Sequence, residues 1–168
     1  WVGTRGGGIN ILNRETGVIQ HFDKFVNEEG LKHNNISAFY RDKLNNLLVG
    51  TWGGLYVLDA KGQEQILNNK EPEYTDVLSA WDMESASIFR IRADNEGHVW
   101  IGTNQGLLEY IPNEAGDYTR GELKRYAKGN TLTDLSDNTI TDILVEAVEH
   151  DTKIVWIATR YGLNKMVL

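Results

Sequence analysis

A chain of 168 residues that is 40% hydrophobic, with 17 glycines and only 2 prolines, is neither disordered nor fibrous and suits a mostly β domain. Its net charge of −7 excludes the clustered Lys and Arg of a nonspecific phosphate-backbone binder, so no nucleic-acid partner is expected. With no cysteine, disulfides, thiolate zinc sites and cysteine nucleophiles are excluded together, and no run of about 18 apolar residues is present to span a membrane or to predict membrane contact by this segment.

Four near-copies of one phrase divide the chain: Trp1-Val-Gly-Thr4, Leu48-Val-Gly-Thr51, Trp100-Ile-Gly-Thr103 and Trp156-Ile-Ala-Thr159. The threonines stand 47, 52 and 56 residues apart, the period of a propeller blade or solenoid turn. A single such unit cannot bury its own faces and stabilises by stacking on its neighbours.

The first unit, 1–26, opens inside the repeated phrase, turns at Gly6-Gly-Gly8, turns again at Arg14-Glu-Thr-Gly17 and ends in a strand over 18–22. The second, 31–68, begins with Ile36-x-x-Phe39, reverses at Asp42-Lys-Leu-Asn45, and runs through strands 47–51 and 55–58 around Trp52-Gly-Gly54. The stretch Asp59-Ala-Lys-Gly62 is read as a second turn that leads to its fourth strand. The connection over 68–87 carries Glu71, Glu73, Asp76, Asp82 and Glu84 against one Lys and reads as a solvated acidic loop. A partner surface or a loose Ca²⁺ site is the sharper alternative, but no Asp-x-Asp-x-Asp-Gly loop supports it.

The third unit, 85–128, repeats the plan with Ile88-x-x-Ile91, the turn Asp94-Asn-Glu-Gly97, strands 99–103 and 107–111 around Asn104-Gln-Gly106, and a fourth strand over 122–126. The fourth, 135–168, has Ile140-x-x-Ile143, then Glu146 with a turn about four residues longer, and strands 155–159 and 163–167 around Arg160-Tyr-Gly162. Four antiparallel strands per unit make an all-β propeller blade. The first unit lacks its first strand and the last lacks its fourth, which gives two whole blades flanked by two partial ones. The expectation is a fragment of a longer chain, its end faces covered by other propeller blades or by a second copy.

No catalytic residue is legible. A hydrolase needs two carboxylates across one cleft, whereas the recurring acids Asp42, Asp94 and Glu146 each sit singly at the turn of their own unit. The histidines, at 21, 33, 98 and 150, occupy unrelated repeat positions with no metal-ligand spacing, so neither metal nor cofactor is expected. Gly6-Gly-Gly8 precedes a strand and lacks a Lys-Ser/Thr pair, which makes it a turn with a bulge and not a phosphate loop. Trp1, Leu48, Trp100 and Trp156 share one repeat position with a packing role, as do the turn glycines Gly54, Gly106 and Gly162. Trp52 and Trp81 lie instead in connections on one face, where loops on a rigid scaffold carry recognition. Candidates there are Arg5, Trp52, Asn104, Arg160 and Tyr161 from the turns, with His33, Asn34, Trp81, Asp82 and Asn138 from the connections. Aromatic rings suit the apolar C–H face of a pyranose, and Asn, Arg and Asp its hydroxyls.

Leu135-Ser-Asp-Asn-Thr-Ile140, Asp94-Asn-Glu-Gly-His-Val-Trp-Ile-Gly-Thr103 and Gly106-Leu-Leu-Glu-Tyr110 resemble the two-component regulator propeller repeat. The resemblance runs through the whole chain, with Leu48 in place of the usual Trp and Ala158 in place of Gly. It implies the periplasmic sensor of a hybrid two-component system in a polysaccharide-degrading bacterium. Such receptors carry two large propellers, an immunoglobulin-like domain, one membrane helix and a cytoplasmic histidine kinase with regulator modules. The implied task of this segment is to recognise an oligosaccharide without cleaving it. A propeller glycoside hydrolase and a scaffold that binds only protein are the rival readings.

Overall fold

A computed structural model describes residues 1–23, 34–83, 85–113, 118–131, 134–147 and 152–168. The chain forms two compact units, Trp1–Ser85 and Ala86–Leu168.

In the first unit, short apolar runs separated by polar turns give two antiparallel sheets. One contains β1 (Val2–Gly3), β2 (Ile9–Leu12) and β3 (Ile19–Phe22) in that order; the other contains β4 (Ile36–Arg41), β5 (Leu47–Thr51), β6 (Gly54–Leu58) and β7 (Thr75–Asp76). Every residue of β5 and β6 is buried, which is why both read as continuous apolar runs and not as alternation. Ile9, Ile11 and Phe22 from the first sheet meet Ile36, Leu47, Val49, Tyr56 and Leu58 from the second, with Ile66 joining the same core.

Here the structure corrects one expectation. The stretch 59–62 does not turn into a fourth strand but opens α1 (Ala60–Leu67), with Asp59 as N-cap accepting from the Gly62 amide at 2.8 Å. The fourth strand comes later, beyond the expected boundary at 68. It is β7, whose Asp76 and Thr75 pair with Tyr56 and Val57. The acidic connection is therefore partly built in: Val77, Leu78 and Met83 are buried, and Glu73 pairs with Lys61 at 2.6 Å.

The second unit holds a four-stranded sheet of β8 (Ile88–Ala93), β9 (Val99–Thr103), β10 (Gly106–Ile111) and β11 (Glu122–Tyr126), and a three-stranded one of β12 (Ile140–Ala147), β13 (Lys153–Thr159) and β14 (Gly162–Val167). β12 lies against β8 and β9. Trp100 and Leu107 thereby pack with Ile140, Ile143, Val155 and Ile157. The first strand of each copy that has one slips register at the same place, between Ile36 and Ala38, Ile88 and Arg90, and Ile140 and Asp142. Such a bulge is a conserved feature of construction and sharpens the local twist.

Candidate functional site

The repeated threonine explains how the recognition face is built. Each hydroxyl donates to the carbonyl of the glycine across the next turn: Thr4 to Gly8, Thr51 to Gly54, Thr103 to Gly106 and Thr159 to Gly162, at 2.8–3.1 Å. In the last three copies the same hydroxyl accepts a turn amide, from Gly53, Gln105 or Tyr161. Gly54, Gly106 and Gly162 have φ of 132°, 121° and 150°, which other residues adopt only under strain. Buried hydroxyls thus satisfy the turn from within, and the residue after each threonine is displayed on fixed backbone. Its amide is also tied: Trp52 to the Asn35 carbonyl, Asn104 to that of Ser87, Arg160 to that of Thr139.

In the first unit this geometry brings three of the expected residues together. The Arg5 guanidinium lies 4.7 Å over the centre of the Trp52 ring. Backbone bonds stitch the rim beneath it, with the Gly8 amide on the Asn34 carbonyl and the Ile36 amide on the Thr4 carbonyl, both at 3.0 Å. Asn34 Oδ1 is buried with no hydrogen-bond partner, and Arg5 has neither hydrogen bond nor ion pair among the described residues. Trp81 closes the 3₁₀ turn Ser79–Trp81, and Asp82 follows in the left-handed conformation with φ 55°. His33 lies outside the described residues.

In the second unit, Arg160 lies 5.5 Å over the ring of Tyr161, which is 69% exposed. Asn104 and Asn138 are drawn into local structure instead. Asn104 Oδ1 accepts the Ser87 amide at 2.9 Å and Asn138 Oδ1 the Lys128 amide at 2.7 Å.

The repeat acids are consumed structurally. Asp94 Oδ1 accepts the amides of Glu96, Gly97 and His98, while Oδ2 accepts the Trp100 indole at 3.1 Å and Lys153 Nζ at 2.5 Å. Glu146 takes the Trp156 indole at 2.7 Å. In the copy where Leu48 replaces Trp, Asn46 Nδ2 fills the vacated place on Asp42 Oδ2 at 2.8 Å. Burial pushes the Asp94 carboxyl up, but the donors on it more than reverse this and hold it below the ordinary range. Although the histidines show no metal-ligand spacing in sequence, the turn brings one ligand atom each of Asp94, Glu96 and His98 within 4.8 Å of one another. Lys153 Nζ already supplies the cation there, at 3.0 Å from Glu96.

Sequence reasoning missed Lys153, which opens β13 after the longer turn of the last copy, and Glu109. The latter is an acid in the buried run 106–110 of β10, and that was the available signal. It pairs with His98 Nδ1 at 2.9 Å and accepts from the Tyr126 hydroxyl at 2.8 Å. Burial and this carboxylate push the Tyr126 phenol up to about 12.

The family model of the two-component regulator propeller matches residues 30–53 and 82–105. Those two stretches match the two-component regulator propeller repeat. Both matches contain the turn acid, the second strand and the threonine described above, so the repeat is the unit that builds each sheet as a propeller blade. No curated protein matches the chain. Among solved structures, it superposes on the extracellular domain of a putative hybrid two-component system from B. thetaiotaomicron with a TM-score of 0.67 and 21% identity, over 97% of this chain and 18% of that one. It superposes on PorZ, a bacterial surface component of the type-IX secretion system of Porphyromonas gingivalis, with a TM-score of 0.63 and 18% identity, over 90% of this chain and 20% of that one. Both likenesses show the propeller fold, and the chain spans about a fifth of either protein. Within the described residues, no helix of these repeats is long and apolar enough to cross a membrane.

Proposed function

We propose that this chain is a ligand-recognising segment of the periplasmic sensor of a hybrid two-component receptor, and that its ligand is an oligosaccharide released from a polysaccharide. The observation that carries the reading is the Arg5–Trp52 pair, an aromatic ring and a guanidinium held at the rim of the first unit on stitched backbone. The repeat family supports a sensor role, and the structural duty of Asp42, Asp94 and Glu146 weighs against a hydrolase that would need two of them free. A bound sugar signals only through unequal affinity for two states of the receptor, which belongs to the whole protein and not to this segment alone.

Calorimetry against a panel of defined oligosaccharides, with the sugar followed by chromatography in the same samples, tests this. Saturable binding of intact sugar is expected, weakened about tenfold by Trp52→Ala, which removes the ring that holds Arg5 at the rim. Cleavage of the sugar would move the reading to a hydrolase, and silence across the panel to a protein-binding scaffold.

A further inference from the structure

The Arg5 guanidinium covers one face of the Trp52 ring, 4.7 Å from its centre. To stack there, a neutral sugar must first displace the guanidinium and gains nothing from it. A guanidinium held over a ring behaves differently toward an anion, because its fork of N–H donors matches the two oxygens of a carboxylate. Arg5 is exposed and has no carboxylate partner among the described residues, although the chain carries 24 acids against 17 bases. Asn34, whose carbonyl takes the Gly8 amide, has a buried side-chain oxygen with no donor among the described residues. The rim holds this arrangement in place through the Gly8–Asn34, Ile36–Thr4 and Trp52–Asn35 backbone bonds. In the second unit Arg160 lies over Tyr161, its neighbour in the same turn, so that pair forms within one copy and not across two.

We infer that the Arg5–Trp52 rim selects an acidic sugar, a hexuronate whose carboxylate takes the donor fork of the Arg5 guanidinium. The inference rests on the oligosaccharide reading above and narrows it to one chemical class. The net charge of −7 makes the selection sharper, because an anionic ligand is disfavoured by the surface at large and gains only where a cationic group is presented to it.

The test uses matched trisaccharides that differ in the carboxylate alone: galacturonate against galactose, glucuronate against glucose, and mannuronate against mannose. Calorimetry on the full chain is expected to give at least one uronate that binds about tenfold more tightly than its neutral counterpart, the worth of a charge-assisted pair, with affinity that falls as salt rises. Arg5→Gln should erase the difference with an unchanged melting temperature, since Arg5 is exposed. Arg5→Lys, which keeps the charge but loses the fork, should restore only part of it. If the neutral sugars bind as tightly, or the difference survives Arg5→Gln, the acidic-sugar inference falls and the sensor reading stands. If neither series binds, both fall.

Discussion

At the residue scale the most constrained group is Asp94, whose side chain is 3% exposed and whose two oxygens take Lys153, the Trp100 indole and three amides. Its folded value is depressed below the ordinary 3.8, so the stability it contributes is whole well above that pH and is lost as the pH falls through the lower folded value. Lys153 runs the other way. Burial pushes its ammonium down, but its bonds to Asp94 and Glu96 outweigh this and raise it above 10.5. Its contribution is whole below that value and lost as the pH climbs past it. Tyr126, pushed up to about 12, adds to the alkaline loss between its ordinary 10 and that value. Thermal midpoints should therefore show a neutral plateau with a fall at each end, and Tyr126→Phe should shallow the alkaline limb. Replacing Lys153 by Met leaves a buried carboxylate short of its main donor, at a cost of about 1–3 kcal/mol in urea unfolding at neutral pH. A Lys153→Met chain as stable as its parent would show that the ion pair contributes nothing to the fold.

Between elements, the glycine of β9 and its counterpart in β1 each mark where one sheet seats on the next within its unit. A Cβ at Gly3 would stand 2.6 Å from Ile36 Cγ2, and one at Gly102 would stand 3.0 Å from Ile140 Cγ2. Gly102→Ala should thus cost about 1–3 kcal/mol through overpacking, and the double change with Ile140→Val should recover part of it, measured again by urea midpoint. The strands, the turn acids and the packing Trp were legible because each recurs in register and carries its own chemistry. The helix was not, because Gly62 was read as a turn residue. It is a helical glycine whose missing side chain admits the Glu73 carbonyl, a contact between segments that no local pattern announces. Asp59, read as part of that turn, is the helix N-cap; Asp59→Ala should cost about 1 kcal/mol. Of the expected site, the Arg5–Trp52 pairing lay beyond sequence because it joins turns of two different copies. Asn104 and Asn138 looked like sugar ligands for the same reason that they serve as turn formers, since one amide chemistry does both.

Across the whole molecule, the same repeat residues occur in two states of burial. Trp100 and Leu107 are at 0% exposure beneath Ile140 and Ile143, whereas their counterparts on the last sheet, Trp156 and Leu163, line an open apolar cleft of about 460 Å³ with Leu144 and Ala158, where Leu163 is 66% and Leu144 54% exposed. A face that one copy buries completely is strongly apolar in the next, and exposed patches of this kind associate. Fully burying a leucine contributes about 1.5–3 kcal/mol, so covering two supplies a drive that competes with the cost of bringing chains together. Ala158 limits what can seat there. Where Gly102 lets isoleucine approach, its methyl holds an equivalent isoleucine off, so an incoming sheet must present a smaller side chain at that point. We therefore expect concentration-dependent association in sedimentation velocity, reduced by Leu163→Asp with Leu144→Asp. The unfolding midpoint should be nearly unchanged, because both side chains are already in water and such substitutions shift stability by only about 0.5 kcal/mol. A parent chain that stays monomeric at high concentration would mean that Trp156 and its neighbours tolerate solvent as they stand, and that the repeat pattern there outlasts any packing need for it.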